Sequence, residues 1–162
     1  MKNFMKRMML LVALCMMTMV AGYAQEPTKV GVKVNEIVEK YGETNGVECV
    51  TVTKGSGLGL VKTLLNAQFG KDFMKGVTSI TIINYSDASP ETIQALHEDF
   101  EVFNSMLEEF KAGENKEFAD NDYVRCFASI SDEEYVISDF IIAIEDKDSK
   151  MVMYMAGKIK VK

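Results

Sequence analysis

The last third of the chain most constrains the fold, because it contains three strand-like runs joined by short polar turns. The runs are Tyr123–Ser129, Tyr135–Ile144 and Met151–Val161, and each is rich in apolar residues. Asp132-Glu133 separates the first two runs, and residues 146–149 separate the second and third. Turns this short join neighbouring strands that run in opposite directions. The pattern therefore predicts an antiparallel meander.

Helices and strands alternate before the meander. Val30–Tyr41 has apolar residues at helical spacing, and Gly42 after it favours a helix end. Val47–Thr53 and Val77–Asn84 are β-branched runs that predict strands. Helical spacing resumes between the two strands, over residues 58–70. The first half of the chain therefore reads helix, strand, helix, strand.

A third helix begins at Ser89-Pro90-Glu91. Serine is a good N-cap, proline suits the first helical position, and an acidic residue favours the positive end of a helix. Apolar residues then follow at steps of three and four, at Ile93, Leu96, Phe100, Phe103, Leu107 and Phe110. The pattern predicts one long helix that ends near Gly113.

The complete order is α-β-α-β-α-β-β-β, which predicts an α+β fold. We expect a two-layer sandwich, with one mixed five-stranded sheet and helices packed on one face. Residues 25–162 form a single domain in this interpretation, because no repeat or linker divides them.

The N-terminal residues have the pattern of a secretory signal peptide. Lys2, Lys6 and Arg7 precede the apolar run Met8–Val20, and the small residues of Ala21-Gly22-Tyr23-Ala24 follow. This order predicts cleavage before Gln25 and a periplasmic or secreted location. The apolar run is shorter than the roughly 20 residues that a bilayer-spanning helix needs.

A lipoprotein anchored at Cys15 is the alternative, and it fits less well. Leu14 precedes the cysteine where a small residue is expected, and the signal would be very short. Removal of residues 1–24 changes the net charge from −6 to −9, because they contain three of the 18 Lys+Arg and none of the 24 Asp+Glu. An acidic chain without a basic stripe argues against nucleic acid as a partner.

Cys49 and Cys126 are the two cysteines after the signal peptide. Burial of both thiols in the core is the favoured interpretation, since each lies in an apolar run. A Cys49–Cys126 disulfide is the alternative in an exported protein. Two distant cysteines and a single histidine do not fit a zinc site, and the sequence indicates no cofactor.

The glycine turn between the first strand and the second helix is a candidate ligand site. A helix N-terminus attracts anions, so Lys54, Gly55, Ser56, Gly57 and Lys62 are the candidate binding residues. The spacing matches neither the dinucleotide fingerprint nor the phosphate-loop pattern, because required glycines are missing. A simple strand-to-helix turn explains the glycines equally well.

Two further patterns suggest chemistry but have simpler explanations. His97 and Glu101 are four residues apart on the third helix and could form a general base with its orienting carboxylate, or a solvated helical pair. Met151, Met153 and Met155 alternate along the last strand and could hold copper or fill the core. We favour the structural interpretation for both, so no catalytic or metal-binding residue is assigned.

The order of several segments is similar to that of a known group of proteins. The segments are Val34–Tyr41, Asn45–Val47, Val50–Thr53, Gly76–Ile82, Ala143–Asp146 and Met155–Ile159. With them the chain resembles a domain-of-unknown-function family of small exported Bacteroidetes proteins. The resemblance implies a location in the cell envelope and supplies no catalytic residues.

Three functions stay open at this point. The first is a non-enzymatic module of the cell envelope that binds another envelope protein or a small ligand. The second is an enzyme or anion-binding protein that uses the glycine turn. The third is a structural envelope protein with the internal disulfide. The first is favoured because no nucleophile motif or metal quartet is present.

Overall fold

The computed structural model describes residues 27–54, 56–69, 71–110, 124–131 and 136–160. The predicted signal peptide, Cys15 and Gly55 lie outside these ranges. The helices and strands are, in chain order, α1 (Lys29–Tyr41), β1 (Glu48–Thr53), α2 (Leu58–Phe69), α3 (Lys71–Gly76), β2 (Val77–Asn84), α4 (Pro90–Phe100), α5 (Phe103–Met106), β3 (Glu108–Phe110), β4 (Val124–Ser131), β5 (Val136–Glu145) and β6 (Lys150–Lys160). Within the described ranges, no helix is both long and apolar enough to cross a bilayer.

The strands form one six-stranded sheet in the order β1-β2-β6-β5-β4-β3, and every neighbouring pair is antiparallel. Strands β4, β5 and β6 are consecutive neighbours, which confirms the predicted meander. Strand β6 lies between β5 and β2, so it joins the meander to the first two strands of the chain.

The sheet has an apolar core on each of its faces, because its central strands alternate buried side chains on both sides. In β6, Met151, Met153 and Met155 contact the core beneath α2 and α3. Val152 and Tyr154 contact the core beneath α1, α4 and α5. The molecule therefore has helices on both faces of the sheet.

The α+β class is confirmed, but three details of the predicted architecture are wrong. The sheet has six strands rather than five, it is antiparallel rather than mixed, and the helices cover both faces. The continuous apolar runs of β5 and β6 were the available signal for the second face, because a strand buried on one face only alternates apolar and polar residues.

The predicted long third helix is also wrong beyond Phe100. Helix α4 ends there, α5 is a single turn, and Leu107 is extended and leads into β3. Phe103 and Leu107 are both buried, so the apolar pattern continues although the backbone changes. The helix start is confirmed, because Ser89 Oγ accepts a hydrogen bond from the Thr92 amide at 3.2 Å.

Candidate functional site

A cleft of about 340 Å³ lies on the sheet face that carries α4 and α5. Its apolar lining residues are Phe100, Phe103, Phe127, Ile141, Ala143 and Val152. Alternation along β4 and β5 directs side chains two residues apart to the same face, and the antiparallel register brings these strands side by side. The sheet is therefore the floor of the cleft, and the α4–α5 corner is one wall.

One end of the cleft is polar and is organised around the Glu145 carboxylate. Glu145 Oε1 accepts a hydrogen bond from Tyr85 OH at 2.9 Å, and His97 Nε2 lies 2.5 Å from the same oxygen. A carboxylate can only accept, so the imidazole donates from Nε2. The three residues come from the end of β2, from α4 and from the end of β5, so the contacts also fasten α4 to the sheet.

Tyr85 is the buried member of this group and the other two are at the rim. Tyr85 is only 1% exposed, whereas the side chains of His97 and Glu145 are 46% and 37% exposed. Burial raises the pKa of the Tyr85 phenol, and the nearby Glu145 carboxylate raises it further. The phenol therefore stays a neutral donor that holds the carboxylate in place.

A second polar group of the cleft contains Arg125 on β4, which pairs with Ala143 in the ladder and is therefore diagonal to Glu145. Its Nε and one terminal nitrogen donate to the two oxygens of Glu109 at 2.9 and 3.1 Å, and that nitrogen also lies 3.3 Å from Asn104 Oδ1. The guanidinium lies 4.8 Å from the centre of the Phe127 ring. Its hydrogen bonds lower the pKa of the Glu109 carboxyl. The charge of Arg125 is therefore largely balanced within the protein.

The glycine turn predicted as a ligand site has a different organisation. Ser56 Oγ accepts from the Thr53 amide at 2.8 Å and also contacts Thr53 Oγ1 and the Thr53 carbonyl oxygen, so the hydroxyl closes the turn. Gly57 has a φ of 95°, which explains a glycine there. Burial lowers the pKa of Lys62, and the Lys54 ammonium lowers it further. The two lysines are therefore brought together, while Ser56 is used internally.

The Cys49–Cys126 disulfide is excluded by the fold. Both cysteines are free, and they belong to cores on opposite faces of the sheet. Strands β2, β6 and β5 separate β1 from β4, which places the two backbones about 19 Å apart at the usual strand spacing. A disulfide needs Cα atoms within about 7 Å. The favoured interpretation, a thiol buried in the core, is confirmed for Cys126, which is 5% exposed, and Cys49 is half-buried.

The sequence did identify His97, but with the wrong partner. Its carboxylate neighbour is Glu145, which is 48 residues away, rather than Glu101 in the next helical turn. Glu101 lies at the rim of the same cleft. The three methionines of β6 are buried to 2% exposure or less, which confirms the predicted core role. Among the described residues, no cluster of three metal-ligating side chains is present.

The rest of the cleft could not be read from sequence, because its lining residues come from six separate segments between Tyr85 and Val152. The alternating pattern of β5 was the one available signal, since it sets Ile141, Ala143 and Glu145 on a single face. Comparison of the chain with protein families, with curated proteins and with solved structures gives no significant match. The resemblance to the Bacteroidetes family stays a prediction.

Proposed function

We propose that the chain is an exported, non-enzymatic recognition module of the cell envelope, and that its ligand binds in the cleft between the α4–α5 corner and the sheet. One observation carries this proposal: a preformed cleft combines an apolar floor with a small set of fixed polar groups. Ligand sites in proteins typically have this composition, in which apolar walls give affinity and a few polar groups fix orientation.

The polar groups fit recognition better than catalysis. His97 and Tyr85 both donate to one oxygen of Glu145, so each holds the others in position. Arg125 is held in the same way by Glu109 and Asn104. A rigid set of donors and acceptors favours binding, because little conformational entropy is lost when a ligand arrives.

The glycine turn supports its alternative function less well. The Ser56 hydroxyl, which an anion would need, already makes its contacts to Thr53. Lys54 and Lys62 are close to each other and are the part of that prediction that retains support. The structural function based on an internal disulfide has no support in this fold.

A cleft-filling substitution tests the proposed function. The purified protein is screened by NMR against small aromatic and aliphatic compounds that carry positive, neutral or negative groups. We expect binders whose amide shift changes cluster around His97, Phe127 and Glu145. Ala143→Phe places a ring in the cleft and should abolish this binding.

Val32→Phe is the matched control, because Val32 is 44% exposed on α1 and lies outside the cleft. It should bind like the unchanged protein. Shift changes that cluster elsewhere in the unchanged protein, or binding that survives Ala143→Phe in a folded variant, would contradict the proposal. If Ala143→Phe does not fold, the amide shift changes of the unchanged protein alone show whether the ligand binds in the cleft.

A further inference from the structure

The apolar part of the cleft is mainly aromatic. The ring centres of Tyr85 and Phe100 are 6.0 Å apart, and those of Phe100 and Phe103 are 6.3 Å apart with the planes nearly parallel. Phe127 adds a ring from the floor, and the Arg125 guanidinium already lies over one face of that ring. The faces of such rings carry partial negative charge and attract cations that lose their water. The wall therefore favours a positively charged group over a negative one.

The carboxylates at the rim have unused acceptor capacity. Among the described residues, the Glu101 side chain has no hydrogen-bond or ion-pair partner, and Glu145 uses only Oε1. Arg125, which is diagonal to Glu145 on the neighbouring strand, forms an ion pair with Glu109 that balances its charge. An acceptor with free lone pairs gains most from a ligand that donates hydrogen bonds.

The segment that forms the wall of the cleft is negatively charged, as are the carboxylates at the rim. Residues 84–110, which provide Tyr85 and the α4–α5 wall, contain seven Asp+Glu and no Lys or Arg. Residues 54–76, which include α2 and α3 on the opposite face of the sheet, contain four lysines and one aspartate. Helix α1 on the cleft face adds three lysines and two glutamates, so that face keeps a net negative charge that attracts cations.

We propose that the ligand of the cleft is an organic ammonium ion on an apolar body, with its ammonium group at Glu101 and Glu145 and its body against Phe100, Phe103 and Phe127. The inference rests on the proposed function, since it assigns a ligand class to that same cleft. Two sources share this chemistry: a free amine, and a lysine side chain of a partner protein.

Three probes of similar size test the charge preference: phenethylammonium, 2-phenylethanol and phenylacetate. Binding is measured by NMR titration at low ionic strength. We expect phenethylammonium to bind about five- to thirtyfold more tightly than the alcohol, which is the range of one or two exposed ion pairs between its ammonium group and the Glu101 and Glu145 carboxylates. Phenylacetate should bind most weakly. Added salt should weaken the binding of phenethylammonium alone, because salt screens exposed charges.

Glu101→Gln provides the matched variant, because it removes a charge without breaking a described contact. It should reduce phenethylammonium affinity several-fold and leave 2-phenylethanol unchanged. Glu98→Gln is its control, since Glu98 lies on the same helix, bonds only to Gln94 and does not line the cleft. A lysine derivative with both ends of its backbone blocked distinguishes the sources. If it binds more tightly than phenethylammonium, the source is a protein side chain, and if more weakly, it is a free amine.

The outcomes separate this inference from the proposed function. Phenylacetate or 2-phenylethanol binding in the cleft at least as tightly as phenethylammonium would overturn the ammonium assignment and leave a binding cleft in place. Equal losses in Glu101→Gln and Glu98→Gln would also overturn it. Failure of all three probes to shift any cleft resonance would remove both proposals.

Discussion

Asp139 is a buried carboxylate that is satisfied entirely by hydroxyl groups. It is 3% exposed, and it accepts hydrogen bonds from Thr28 Oγ1 at 2.5 Å, Tyr154 OH at 2.6 Å and Ser138 Oγ at 3.0 Å. Thr28 Oγ1 also accepts from the Gly31 amide and caps α1. The group thus fastens the start of α1 to β5 and β6, and the positive end of the helix favours the negative charge.

The substitution Asp139→Asn tests this network. An amide offers one acceptor oxygen in place of two and adds donors where hydroxyl hydrogens already point, so a buried polar group loses its partner. We expect the free energy of unfolding to fall by about 1–3 kcal/mol, as measured by urea denaturation. Asp148→Asn, at an exposed turn residue, should change it by less than about 0.5 kcal/mol. Equal effects of the two changes would contradict the assigned role.

Both thiols should be unreactive in the folded protein. Burial raises the pKa of Cys49 to about 11, and burial together with the Glu109 charge raises that of Cys126 to about 11. Roughly one thiol in a thousand is then ionised at pH 8, against about a quarter for a free cysteine. Labelling with a disulfide reagent should be slow in buffer and fast in urea, and its rate should still rise between pH 9 and 10.

The raised pKa of the two thiols also makes the stability of the protein depend on pH. Because the pKa of each thiol is higher in the native protein than in the unfolded chain, its contribution to the free energy of unfolding is complete below about pH 8.5. It is lost as the pH rises through about 11. Fast labelling of the folded protein at pH 8, or a mass gain of two hydrogens when the monomer is reduced, would contradict this assignment.

For individual residues, the sequence predicts which side chains are buried but not which groups they contact. An apolar run around Cys126 is enough to predict a buried thiol. Apart from the adjacent Ser138, the partners of Asp139 are the α1 cap residue Thr28 and Tyr154 of β6, at sequence separations of 111 and 15 residues. Nothing local to residue 139 marks it as a buried carboxylate, because the pairing exists only after the sheet has formed.

Helix α4 depends on burial of one face more than on helix propensity. Its cap residue Ser89 is exposed, whereas Leu96 is fully buried between α4 and the sheet. We expect Leu96→Ala to lower the free energy of unfolding by about 2–5 kcal/mol, since it removes methyl groups and leaves a cavity. Leu60→Ala is the matched change on α2, where Leu60 is 65% exposed. It should cost under about 0.5 kcal/mol in the same thermal or urea unfolding experiment. Similar costs for both would show that α4 is not packed as described.

The start of α4 could be predicted from sequence because a cap and a proline act within one turn. Its end could not be predicted, because the change of backbone at Leu107 depends on a distant strand. Glu109 pairs with Phe127 of β4 in the ladder, and its side chain binds Arg125 on the same strand. These contacts replace the hydrogen bonds that a longer helix would have made. The pattern of apolar residues alone fits both a continuous helix and a helix followed by a strand.

Strands β2 and β6 approach each other closely at the point where α3 leads into β2. Gly157 has a φ of 155°, and a Cβ atom there would lie 2.0 Å from the Gly76 carbonyl oxygen. We expect Gly157→Ala to lower the free energy of unfolding by about 2 kcal/mol or more, since both the backbone conformation and the contact forbid a methyl group. Calorimetry or urea denaturation would measure the loss.

Gly59→Ala is the opposite case and the control. Gly59 lies in α2 with no atom within 4 Å of an added Cβ. Alanine there should raise the free energy of unfolding by about 0.5–1 kcal/mol, because it restricts the unfolded chain and suits a helix. A neutral Gly157→Ala, or a strongly destabilising Gly59→Ala, would contradict the packing of this region.

At the scale of the molecule, the sequence predicted the class of the fold and the meander because both depend on local patterns and short turns. The insertion of β6 between β5 and β2 could not be predicted, since the pairing of β2 with β6 joins residues more than sixty positions apart. The cleft depends on that pairing, because Tyr85 follows β2 while Glu145 ends β5.

The position of β6 also has a consequence for how the protein is made. Five of the described strands precede β6 in the chain, yet they form two groups that share no ladder until β6 lies between them. During synthesis both groups keep an unpaired edge, and contacts of such long range form slowly. A nascent chain therefore stays open until residues 150–160 have left the ribosome, and it can be threaded through a pore or held by a chaperone throughout that time.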